Sequence, residues 1–103
     1  MEVPMLAHVA IFPTDQGESV SAHVARVVAL IADSGLGYKV TAMGTQIEGE
    51  PEEVFDLIKR CHLEMRAHAK RVYTTVAIDD RVGATGRLEG KIASLEARLG
   101  HSL

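Results

Sequence analysis

One hundred and three residues make one domain and not two, and with 47% hydrophobic residues but only 4% aromatics and no Trp, the core has to come from Val, Ile, Leu, Ala and Met. A formal net charge of -3 provides no broad basic surface, so nucleic acid is not an expected partner. Cys61 is the one cysteine and allows no intrachain disulfide; no run approaches a membrane helix, and Met1–Pro4 lacks a basic, then apolar leader pattern, so a reducing cytoplasm is expected.

Met5 to Phe12 is apolar on both parities and is stopped by Pro13 and a Thr-Asp-Gln-Gly turn. Such a run predicts a strand covered on both faces, β1, central in its sheet. Ser19 is placed to cap a helix over about 20–33, where Val20, Val24, Val27, Val28 and Ile31 keep helical spacing and Gly35 stands just past the end. The many β-branched residues of this α1 weaken its local propensity, so packing must hold it.

Tyr38 to Met43 alternates large and small residues and predicts β2, with Gly44-Thr45 as the hairpin turn and Gln46 to Glu48 as a short β3. Pro51 suits the first position of a helix, and Glu52 and Glu53 favour its positive end. Val54, Leu57, Ile58, Cys61 and Met65 form one stripe, so α2 is expected over about 51–68. Arg71 to Asp79 alternates as β4, with Val72, Thr74, Val76 and Ile78 on one side and Tyr73, Thr75 and Ala77 on the other. A loop over 80–86 leads to α3, about 87–99, where Leu88, Ile92, Leu95 and Leu99 recur at helical spacing.

The order β-α-β-β-α-β predicts an α+β, ferredoxin-like sandwich: a four-stranded antiparallel sheet with two helices on one face, plus a C-terminal helix. If Met5, Ala7, Val9 and Ile11 pack on the helices, Leu6, His8, Ala10 and Phe12 face away. An apolar patch of that kind on a small protein marks an interface, and a closed dimer or tetramer would cover it together with the α3 stripe.

Ile11-Phe12-Pro13, Ser19-Val20-Ser21, Met43-Gly44-Thr45-Gln46-Ile47-Glu48-Gly49-Glu50 and Arg71 to Arg81, in this order and spacing, resemble the small thiamine-binding protein family with its YkoF-like ferredoxin fold. The resemblance covers about residues 5–82. It implies homo-oligomers built by sheet-to-sheet packing, a site for thiamine or its pyrimidine part, and no established catalysis. Ser19, Ser21, Thr45, Glu48, Asp80 and Arg81 match its motifs and are the candidate ligand-binding residues.

Each of these residues also has a plainer reading. Glu48, between Gly44 and Gly49, can accept from an amino group and a protonated ring nitrogen in a two-point contact, or simply be a solvated strand-end carboxylate. Thr45 offers a hydroxyl to a ring, or closes the hairpin. Ser19 caps a helix whose free N–H groups suit an anion, and Ser21 adds a second hydroxyl. Asp80 and Arg81 either end a strand with a weak local pair or hold a cation and an anion. Phe12 and Tyr73 can stack on a flat ring, or pack plainly in an interface.

Five histidines raise the question of a metal. His62 and His68 are six apart on α2 and do not share a face, His8 reads as an interface or core residue, and no third ligand is evident. Cys61 falls on the apolar stripe. Gly83-Ala84-Thr85-Gly86 lacks the Lys-Ser/Thr of a P-loop, and no nucleophile-base spacing stands out. Neither cofactor nor catalysis is expected. The leading reading is a non-catalytic thiamine or aminopyrimidine binder, a carrier or sensor, that self-associates; the alternative is a structural or regulatory interaction module without a small ligand.

Overall fold

A computed structural model of the chain describes residues 4–17, 20–81 and 87–103. Its elements are β1 (Met5–Pro13), α1 (Ser21–Asp33), β2 (Gly37–Thr41), β3 (Gly44–Gly49), α2 (Pro51–Arg66), β4 (Val72–Asp79) and α3 (Arg87–Leu99). The strands lie in the order β2-β3-β1-β4, and every neighbouring pair is antiparallel. This is the ferredoxin-like α+β arrangement that the sequence predicts, with β1 central.

Along β1 burial alternates strictly. Met5, Ala7, Val9 and Ile11 are buried against α1 and α2, with Ile47 of β3 beside them. From the helices come Val27 and Ile31, then Val54, Leu57, Ile58, Cys61 and Met65. Each large aliphatic side chain so buried stabilises the fold by about 1.5–3 kcal/mol relative to exposure.

Local chemistry explains the helix ends. Glu50, extended at φ -63° and ψ 144°, precedes Pro51, and Glu52 and Glu53 face the positive end of the dipole. At the end of α1, the Ser34 hydroxyl donates to the Ile31 carbonyl at 2.6 Å and accepts from the Leu36 N–H at 3.1 Å. Gly35 then takes the left-handed φ of 84° that a helix exit favours.

Three sequence expectations are corrected. The N-cap position of α1 is held by Val20 with no side-chain cap, so packing of Val27 and Ile31 holds the helix; Ser19 itself lies outside the described residues. The β2–β3 turn is Ala42-Met43, not Gly44-Thr45, which begin β3 opposite Thr41 and Val40. Thr45 is β-branched and faces the core, a place that suits a strand better than a turn. Finally, the second face of the sheet is not left wholly to a neighbouring molecule. α3 lies against it, with Leu88 Cδ1 only 3.2 Å from where a Cβ on Gly37 would stand and Lys91 Nζ 2.7 Å from Asp79 Oδ2. Leu88 and Ile92 are thereby half-buried, whereas Leu95 and Leu99 stay exposed.

Candidate functional site

Two concave sites flank β1, one on each face. The first is a cleft of about 220 Å³ between the first half of α1 and the β2–β3 hairpin. β1 crosses its floor, Val20, Val24 and Val28 form one wall, and Val40 to Thr45 form the other. The sequence makes this space because α1 offers only short β-branched side chains there. Thr41 and Thr45 are its polar side chains, and Thr45 is the one polar residue among the buried side chains of the described residues. Apolar walls and a hydroxyl suit a flat, weakly polar ring.

The second is a groove of about 220 Å³ on the opposite face, lined by Leu6, His8, Gln46, Ala77, Asp79 and Lys91. Antiparallel register brings these residues together: His8 stands between Gln46 and Ala77, and Leu6 between Glu48 and Asp79. The His8 ring sits over Gly44 so closely that a Cβ there would lie 2.8 Å from Cε1, and 2.7 Å from the Val9 carbonyl oxygen. Further along the same face, the Phe12 and Tyr73 rings are 5.6 Å apart between centroids.

The candidate residues divide between these places. Ser21 opens α1 beside Val20 at the lip of the cleft and is exposed, and Thr45 lies within the cleft. Glu48 is three residues further along β3, about 10 Å away, and shares the second face with Leu6. Asp80 and Arg81 follow Asp79, at that same end of the sheet, and both are exposed. Ser19 is not among the described residues. Within one chain, therefore, Thr45 and Glu48 belong to different faces, and Asp80 and Arg81 lie beyond the last paired residue of β4.

Sequence reading missed Val24, Val28 and Met43 as cleft residues, because the α1 valines look like ordinary core. It also missed the Lys91–Asp79 pair. His62 is half-buried, and its Nδ1 lies 2.8 Å from the Thr74 hydroxyl, linking α2 to β4. Among the described residues no group of three or more His, Cys, Asp or Glu side chains is arranged to hold a metal ion, and no helix is long and apolar enough to cross a membrane.

Two groups have altered acidities. Burial pushes the Cys61 thiol up to about 11, although Arg60 nearby acts the other way. At neutral pH the thiol is protonated and inert. For Asp15, partial desolvation raises the value, but hydrogen bonds from the Lys70 N–H at 2.9 Å and from Gln16 outweigh it, and the carboxyl ends below its usual range.

A family model described as thiamine-binding protein matches residues 7–96. The chain is 36% identical over 100 residues to the UPF0045 protein YqgV of Bacillus subtilis, covering 91% of this chain and 96% of that one. It is 29% identical over 91 residues to the UPF0045 protein MJ1052 of Methanocaldococcus jannaschii, covering 88% and 91%. The crystal structure of MJ1052 aligns with a TM-score of 0.84 over 89% of this chain and 95% of that one, at 28% identity. A Thermotoga maritima protein provisionally placed in thiamine biosynthesis or salvage aligns at 0.80 over 89% and 98%, at 24% identity, a likeness of fold.

Proposed function

We propose, because this chain belongs to the thiamine-binding protein family, that it binds thiamine or its aminopyrimidine part without transforming it, as a small cytoplasmic homo-oligomer that carries or senses the vitamin. The observation that carries the reading is the cleft above Thr45. An aminopyrimidine is flat, presents apolar faces, and has a polar edge that needs few partners. Valine walls match its faces, and the Thr45 hydroxyl, with exposed main-chain groups of the hairpin, can meet its edge. Ser21 would serve at the lip, and Ser19 is kept as a candidate on its sequence motif alone. Glu48, Asp80 and Arg81 remain candidates for the charged portion of a ligand, or for a ligand at the second groove.

Isothermal titration with thiamine tests this. Saturable heat, lost in Thr45→Val and in the cleft-filling Val24→Phe, is the expected result. Absence of heat and of any thermal shift at millimolar thiamine would remove the reading. Glu48→Ala separates the two faces: if it alone abolishes binding, the ligand belongs to the second groove. Self-association through the second face is supported by the exposed Phe12, Tyr73, Leu95 and Leu99. The same surface favours the alternative, an interaction module with no small ligand, which retention of thiamine in native mass spectrometry would count against.

A further inference from the structure

Charge is divided unevenly between the two concavities. The second groove holds the Asp79–Lys91 pair and the His8 imidazole. The cleft is built of aliphatic side chains, Phe12, Met43 and Gly44, with Thr41 and Thr45 as its polar members. Among the described residues that line it, none is acidic, basic or a histidine.

Each element that packs around the cleft turns its titrating groups elsewhere. On α1, Val20, Val24 and Val28 line the cleft, whereas Arg26 is exposed and lies 3.2 Å from His23 Nδ1, with neither in the lining. Asp33, at the end of that helix, is exposed too. Side chains alternate along strands, so His8 of β1, Lys39 of β2 and Glu48 of β3 have the parity opposite to Val9, Val40 and Thr45 and belong to the second face. Of the two hydroxyls, Thr41 Oγ1 donates to the Gly44 carbonyl at 2.8 Å and serves the turn. Thr45 is left to meet a ligand.

A charge brought into such a place leaves water without meeting a counter-charge. Desolvation there disfavours the ionised form of any titrating group, on a ligand as on a protein. A hydroxyl has one proton to give and lone pairs to accept with. It can donate to the bare ring nitrogen of a neutral aminopyrimidine, whereas a protonated ring nitrogen is best met by a carboxylate. We infer that the cleft selects the uncharged form of a flat aromatic heterocycle: the aminopyrimidine ring enters unprotonated, and the thiazolium or any phosphate of a larger ligand stays in water outside. This charge selectivity rests on the cleft reading of thiamine binding and adds to it the chemical state of the ligand.

Isothermal titration of the parent protein with thiamine, and separately with its free aminopyrimidine alcohol, across the range in which the two rings titrate, tests it. Ultraviolet titration of each free compound fixes its ring acidity. Affinity should be level above that value and fall about tenfold per pH unit below it, and the break should shift between the compounds as their acidities differ. The alcohol should bind at least as tightly as thiamine. Affinity that rises on acidification would mean that a carboxylate holds the protonated ring and would overturn the inference. So would a break common to both compounds, which reports a protein group such as His8 or His23, or a preference for thiamine of more than about tenfold, which means that its cation is held. The two readings fail differently. No heat from either compound at any pH, or heat undiminished in Val24→Phe, removes the cleft reading itself; cleft-dependent heat with a reversed slope removes the charge selectivity alone.

Discussion

The two faces of the sheet are made by the same four strands and behave differently. On the helix-covered face, Met5, Ala7, Val9, Ile11 and Ile47 are sealed beneath two amphipathic helices. On the other, Leu6, His8, Ala10 and Gln46 are half-buried beside an α3 that roofs only one end. The first face consists almost wholly of groups whose one physical preference is to leave water. The second mixes aliphatic, imidazole, amide and ion-paired groups. The sealed part of the first face supplies stability and the cleft above Thr45 is its opening to a ligand, while the partly roofed, chemically mixed second face offers a different surface for recognition.

The contrast is sharpened most by truncation. Leu57→Ala on the sealed side should destabilise by about 2–5 kcal/mol and Leu6→Ala on the other by about 1 kcal/mol, read from urea unfolding. Equal losses would mean that the faces are equally closed. Gly44→Ala comes next, at about 1–3 kcal/mol, since its Cβ would collide with the Val9 carbonyl and the His8 ring; a neutral outcome would show that the hairpin is free to shift.

Alkali tests the sealed side again. Burial raises Cys61 from an ordinary thiol value of 9.0 to about 11 in the folded state, so its stabilising contribution is complete below pH 9 and is lost as pH rises through 11. Stability should fall by at most roughly 1.4 kcal/mol per pH unit across that window, and Cys61→Ala should flatten the slope. The smallest effect is expected at the half-exposed Lys91–Asp79 pair, where Lys91→Met should change stability by under about 1 kcal/mol and less still at high salt. A larger loss would show that this pair, rather than Leu88 and Ile92, anchors α3.

Period-two and helical patterns made the central strand, the element order and the Val54-to-Met65 stripe legible, because each reports a local conflict between apolar groups and water. Val20 at the N-cap of α1 was not legible, since Ser19 offered a capping side chain one residue too early. Nor was the Ala42-Met43 turn: Gly44 is needed beneath His8, not at the turn, and a glycine demanded by a distant side chain looks the same in sequence as one demanded by a bend. The candidate site was legible in residue types and not in their grouping. Thr45 and Glu48 stand three apart on a strand, and that odd spacing sends them to opposite faces.

Strands made of L-residues bear a Cβ at each step, and that carbon covers the main chain on the side it faces. At Gly44 that cover is missing. An imidazole edge leans on the bare peptide from one side, and the same peptide helps wall the cleft on the other. One residue thus borders the cleft and supports the His8 wall of the groove, and a side chain added there would disturb the groove and the cleft together.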